Sequence, residues 1–286
     1  MRRIRFALRP RGEQAGSTSP ATAPFRAAAL ALAAALALSI GLSLGVGGCA
    51  SGGAGSGPKL VVGVSPHYQP VIFEREGEIV GIEADLAKLV GESLGRRIVF
   101  QRYEFPQLMG ALERGEVDVI MSGLSITPER SRRVRFTEPY MQVGQLALIR
   151  ADDVARFGRV SSIRRGGVRV GYKRGTTGER FVGMELTRSL SFAFDGIEEG
   201  LRSLRAGRID FFVHDAPTIW TLAGDARNHD LLGLYQPLTE EYLAWAVRLD
   251  DDKLHSLLNA TLAHWKREGR VEPILDRWIP VRVTVR

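Results

Sequence analysis

Between residues 60 and 278, short apolar runs alternate with longer stretches whose apolar positions recur every three or four residues. Residues 60–64, 98–103 and 117–121 show the first pattern and predict strands. Residues 83–94 show the second: Leu86, Leu89, Val90 and Leu94 share one face and Gly95 follows, which predicts an amphipathic helix closed by glycine. Residues 105–114, before Gly115, predict another helix. After a strand over 145–149 the pattern restarts, with strands over 168–171, 191–194 and 209–213 and helices over 176–187 and 197–206. A last strand over 242–247 and helices over 253–266 and 271–278 complete the chain. Strand and helix in strict alternation predict an α/β architecture with mainly parallel sheets, and the second round mirrors the first, so two similar lobes are expected.

The densest concentration of chemistry lies in GEVDVIMSGLSITPERSRRVRFTEPY, residues 115–140. An apolar strand runs into a polar turn holding Ser122, Gly123, Ser125 and Thr127, and Thr127 followed by Pro128 has the form of a helix start. Free backbone N–H groups at such a turn favour an anion. Arg130, one turn further on, offers a planar fork that binds a carboxylate through two parallel hydrogen bonds. Arg132, Arg133 and Arg135 follow closely and read as solvated; Arg130 could share that fate, but it alone sits in the first turn after the polar loop. Open α/β sheets gather ligands at places of this kind.

The N-terminus changes the charge picture. The first 48 residues hold six arginines and one glutamate, followed by an Ala/Leu-rich run over 27–44. Val46-Gly47-Gly48-Cys49 resembles a lipobox, with Cys49, the sole cysteine, as the lipid-modified residue and new N-terminus. An uncleaved membrane anchor, or cleavage nearby with Cys49 incidental, are the alternatives; each places the globular part outside the cytoplasmic membrane. Residues 51–58, SGGAGSGP, form a flexible tether. The whole chain carries 39 Lys+Arg against 32 Asp+Glu, and without the leader 33 against 31 remain. The high overall pI of about 9.9 thus belongs to the export signal and implies no nucleic-acid partner.

SGLSITPER with VRFTEPY, together with GIEADLAKLVGESLG (81–95), GYKRGTT (171–177) and GRIDFFVHDAP (207–217), resembles the extracellular solute-binding proteins that serve ABC importers of polar amino acids. The resemblance spans residues 60–278. It implies a two-lobed, periplasmic-binding-protein-like type II fold, with a ligand cleft between lobes and two crossover strands near 143–147 and 241–245. The expected division is a lipoprotein signal over 1–48, a tether over 49–58, lobe 1 over 59–143, lobe 2 over 144–241 and a return to lobe 1 over 242–286. The expected activity is capture of a polar amino acid and delivery to an ABC permease by a monomeric, lipid-anchored protein of the periplasm or cell surface, without a cofactor or metal.

By the same resemblance Arg130 grips the α-carboxylate, with Ser125 and Thr176 adding donors. Asp215 takes the α-ammonium, assisted by Ser122 or Gly123, and it is equally suited to cap the helix that follows. Tyr68 and Phe105 match aromatic faces that sandwich the ligand side chain, with ordinary core burial as the alternative. Lys173 and His214 match side-chain contacts of glutamine binders; a supporting or structural role is equally open for His214, and a solvent-exposed pair is the plain alternative for Lys173 and Arg174, equally so for Arg174. Ser65 stands where binders of basic or amide side chains often carry aspartate, and Gln69-Pro70-Val71-Ile72 replaces a more usual Pro-Phe wall. Glu83 could still supply a negative charge to the pocket, though at a helix start it reads better as a residue complementing the helix dipole. These departures favour glutamine, glutamate or another polar side chain over lysine or arginine. A dehydratase-like enzyme acting on prephenate or arogenate is the competing expectation, but it wants a further cleft carboxylate, and Pro217 and Thr218 follow Ala216 instead. A ligand sensor would use the same pocket.

Overall fold

The computed structural model describes residues 57–279; the leader, Cys49 and most of the predicted tether lie outside the described residues. Two five-stranded sheets carry the architecture. In the first, Lys59–Val64 lies between the parallel strands Arg97–Arg102 and Val119–Ile120, and the antiparallel Ala246–Val247 and Arg135–Phe136 extend the sheet. In the second, Arg169–Lys173 lies between the parallel strands Leu190–Phe194 and Phe211–Asp215, extended by the antiparallel Gln145–Arg150 and Leu231–Gly233. The repeated strand–helix pattern thus becomes two like-built sheets.

Each sheet is covered on both faces, as parallel strands require. On one face of the first, helix Ile82–Leu94 and the C-terminal helices Asp252–Arg267 and Glu272–Trp278 bury Leu86, Val90, Leu258, Leu262 and Trp265 against Leu60 and Val62. On the other, helix Leu108–Glu113 sets Leu108 and Leu112 against Ile120 and Ala246. Helix Ile82–Leu94 stops at Gly95, whose φ of 61° is a left-handed conformation that costs glycine little. In the second sheet, helices Thr177–Glu185 and Ile197–Arg205 pack on opposite faces, through Phe181 and Val182 and through Leu201 and Leu204.

Two antiparallel strands, Met141–Val143 and Glu241–Leu243, run side by side where the chain passes between the sheets. This double crossing makes a hinge with the cleft above it. The expected strand over 242–247 is in fact two pieces, Glu241–Leu243 and Ala246–Val247. Between them Ala244 N–H donates to the Leu124 carbonyl at 3.1 Å and Trp245 N–H to the Thr137 hydroxyl at 3.1 Å, so local partners replace the ladder. The expected strand over 117–121 is regular only at Val119–Ile120; on either side Asp118 N–H and Met121 N–H still donate to the Val61 and Gly63 carbonyls at 2.8 and 3.2 Å, and the Asp118 carboxylate takes the Val61 N–H at 2.8 Å. The expected helix over 105–114 begins as a 3-10 turn, Phe105–Gln107, with Pro106 in its first turn.

Candidate functional site

The cleft site begins at strand ends. In lobe 1, Val119–Ile120 runs into the 122–125 turn and then the single helical turn Pro128–Ser131. Thr127 caps that turn, its hydroxyl accepting from Arg130 N–H at 3.2 Å, so the arginine backbone is fixed before its side chain reaches the cleft. The Arg130 guanidinium donates to the Ser125 carbonyl at 2.9 Å and, across the cleft, to the Gly175 carbonyl at 3.3 Å. It also lies over the Phe105 ring, 5.5 Å from its centroid. Burial draws its pKa below the ordinary arginine value, while Asp215 and then Glu241 oppose that shift.

In lobe 2, Phe211–Asp215 ends where helix Ala216–Gly224 begins. Asp215 holds the N-cap position without capping by its side chain; its carboxylate accepts from the Gln145 amide instead. Burial raises the Asp215 pKa, against the pull of Tyr68, Gln145, Arg130 and Lys173. Neither Arg130 nor Asp215 takes part in an ion pair among the described residues.

The structure brings together Tyr68, Phe105, Gly123, Ser125, Arg130, Lys173, Thr176, His214 and Asp215 around one cleft. Ser65 and Thr177 also line it. Lys173 is half-buried at the cleft, with its pKa lowered by that burial, whereas Arg174 turns outward to Asp195 at 3.0 Å. The Thr176 hydroxyl donates to the Lys173 carbonyl at 2.7 Å. His214, 5% exposed, accepts the Asp215 N–H on Nδ1 at 2.8 Å, and its ring packs edge-on to Tyr68. Burial and then the Lys173 charge pull the His214 pKa down to about 3, so the ring is neutral. Among the described residues, Ser65 Oγ and His214 Nε2 are buried without hydrogen-bond partners, whereas the Tyr68 hydroxyl interacts with Asp215. Native interiors rarely leave such atoms unsatisfied, and two at one cleft mark a place made for a polar guest.

Two residues sit differently from expectation. Ser122 does not face the cleft; its hydroxyl accepts the Ser65 N–H at 2.8 Å and ties the turn to the first strand. Glu83 is fully buried and its pKa is raised to about 8, so as a neutral acid it brings no charge to complement the helix dipole; its carboxyl accepts the Gly123 N–H at 2.5 Å. The sequence reading missed Gln145 and Glu241. The Gln145 amide lies within reach of Asp215, of Thr177 Oγ1 at 3.1 Å and of Glu241 Oε1 at 3.0 Å, linking the Asp215 carboxylate to both crossover segments. No spacing signal points to that trio, since its members are 70 and 96 residues from Gln145 along the chain.

A hinged pair of α/β lobes with polar groups of opposite charge across the cleft defines a ligand-clasping protein. The chain belongs to the bacterial extracellular solute-binding proteins, family 3, whose model matches residues 60–281. It is 30% identical over 239 residues to ABC transporter arginine-binding protein 1 of Escherichia coli strain K12, covering 80% of this chain and 93% of that one. It is 25% identical over 206 residues to ABC transporter glutamine-binding protein GlnH of Bacillus subtilis strain 168, covering 71% and 74%. Among solved structures, the ancestral amino acid-binding protein AncCDT-1, a precursor of cyclohexadienyl dehydratase, aligns with a TM-score of 0.71 at 29% identity, covering 77% of this chain and 95% of that one. The family and these curated relatives are binding proteins and not enzymes.

Proposed function

We propose that this chain captures an amino acid with a polar, oxygen-terminated side chain by closing its lobes and delivers it to an ABC permease. The carrying observation is that Arg130 from lobe 1 and Asp215 from lobe 2 line one cleft, each without an ionic partner. An α-carboxylate on Arg130 and an α-ammonium on Asp215 would satisfy both, and a ligand touching both lobes binds the closed form better than the open one. Arginine- and glutamine-binding relatives support the amino-acid class. The cleft's charged lining supports the oxygen-terminated side chain: once the zwitterion has engaged Arg130 and Asp215, Lys173, which makes no ion pair among the described residues and feels Glu104 from outside the cleft, is the remaining lining charge, and no second carboxylate is among the lining residues.

The reading includes a monomer held outside the cytoplasmic membrane by a lipid on Cys49, in keeping with an extracellular family. Among the described residues no helix is long and apolar enough to cross a membrane. Titration calorimetry against the twenty amino acids, ornithine, citrulline and prephenate tests the proposal. One polar amino acid should bind, and Arg130→Ala should weaken it by about 2–5 kcal/mol through an unpaired buried carboxylate. Arg130→Lys should also lose affinity with the fork. Unchanged affinity in Arg130→Ala removes that residue from the site.

A further inference from the structure

We propose that Glu83 is a positioning residue of the ligand pocket, its carboxyl holding the Gly123 turn in the shape on which the cleft depends. The inference rests on reading that cleft as the ligand site. Glu83 projects from the first turn of helix Ile82–Leu94 into the interior, and its side chain reaches the cleft turn 40 residues away. The contact is with a backbone N–H, so it fixes the path of the chain and not a neighbouring rotamer. Gly123 has a φ of 65°, and a Cβ placed on it would stand 2.4 Å from the Tyr68 ring. The turn is therefore wedged between a ring on one side and a carboxyl behind it. Tyr68, Gly123 and Ser125 all line the cleft, so a shift of this turn moves three of its walls.

The surroundings of Glu83 determine its charge state. Among the described residues no cation acts on it; Tyr140 is the one titratable side chain that does, and Tyr140 itself feels Asp215 beyond it. The neighbouring acid on the same helix, Asp85, is spent on Arg277 and Trp278 at the outer surface. Burial raises the Glu83 pKa to about 8, opposed by the Gly123 N–H and Tyr140. The carboxyl thus remains a neutral acid at physiological pH, able to accept from Gly123 on Oε2 and to donate its own proton towards Tyr140. Both Oε1 and the Tyr140 hydroxyl are buried without a hydrogen-bond partner among the described residues. The neutral acid places no uncompensated charge behind a pocket whose ligand already brings two.

The amide resonance of Gly123 in the ¹⁵N-labelled protein, followed from pH 4 to 10 without ligand, reads this contact directly. A titration with its midpoint near pH 8, absent from Glu83→Gln, is expected. A midpoint near the ordinary glutamate value of 4.5, or the same titration in Glu83→Gln, overturns the proposal. In parallel, L-glutamine and L-glutamate serve as binding probes. Glu83→Gln, which still presents an oxygen to Gly123, should bind within about threefold of the parent, and Glu83→Met, folded but without that oxygen, should lose roughly tenfold or more. Equal binding by Glu83→Met and the parent also overturns it. If neither amino acid binds the parent, the proposed ligand class fails, while the Gly123 titration still decides the role of Glu83.

Discussion

The backbone N–H of Asp215 donates to Nδ1 of His214 at 2.8 Å, so each neighbour constrains the other's chemistry at the cleft. With Nδ1 an acceptor, the neutral ring carries its proton on Nε2, which is buried and unpartnered. His214 therefore presents a donor to any ligand side chain that reaches it, beside the Lys173 ammonium.

Citrulline and arginine differ at the end of similar chains, an acceptor oxygen against a cationic donor. Citrulline or glutamine should bind more tightly than arginine. His214→Asn, which keeps an acceptor near the Asp215 N–H but lacks the reach of Nε2, should narrow that preference by about 1–3 kcal/mol. Competitive calorimetry of the three amino acids measures it, and arginine binding tighter than citrulline would sink the oxygen-terminated assignment. Because the His214 pKa lies near 3, its titration should leave affinity unchanged between pH 5 and 8.

Gly123 admits no side chain. A left-handed φ of 65° strains any L residue, and the added methyl would meet Tyr68 Cδ1 and Cε1 at 2.4 Å. Gly123→Ala should cost about 1–3 kcal/mol of stability and a larger share of ligand affinity, because the ring that must move lines the pocket. Chemical denaturation with parallel binding isotherms checks this; wild-type affinity in a destabilised variant would detach Tyr68 from the ligand.

The strand–helix alternation and the polar turn were legible because they depend on local pattern: alternating apolar runs, Gly95 and Gly115 at helix ends, Thr127-Pro128 at a helix start. Arg130 stood out for the same reason, as a cation in the first turn after the polar loop, whereas Asp215 was singled out by the resemblance of GRIDFFVHDAP to the family. What the pattern could not carry was side-chain direction. Glu83 occupies a position where a first-turn acid ordinarily meets water, yet helix Ile82–Leu94 turns that face inward. Gln145 and Glu241 look like ordinary strand residues until two distant crossovers come side by side. The break after Leu243 escaped notice because Ala244 and Trp245 are as apolar as the strands around them.

Asp215 gives ligand binding a pH dependence of definite sign. Burial raises its pKa in the ligand-free cleft, and binding an ammonium requires the charged form. Affinity should be constant at higher pH and fall by about tenfold per unit once pH drops below that raised value, since each ligand then displaces a proton. Asp215→Asn should bind weakly at every pH with this dependence gone. Calorimetry from pH 4 to 8 in buffers of different ionisation enthalpy counts the displaced proton; none at the acidic end would separate Asp215 from the ammonium.

Glu83 should make the stability of the protein fall with rising pH over a defined window. An unfolded glutamate titrates near 4.5, the buried one near 8, so between these values the folded protein holds a proton that the unfolded chain has released. Stability tied to this group is fully present below pH 4.5, declines as pH rises towards 8 and is constant above, because proton uptake on folding is disfavoured by alkali. Glu83→Gln carries no such proton. Its unfolding temperature should match the parent near pH 4.5 and exceed it increasingly up to pH 8, with the gap constant beyond. Thermal unfolding of both proteins across that range reads the difference after all other groups have cancelled. A gap that narrows with rising pH would mean the Glu83 carboxylate is charged and compensated, contrary to the uncompensated burial seen around it.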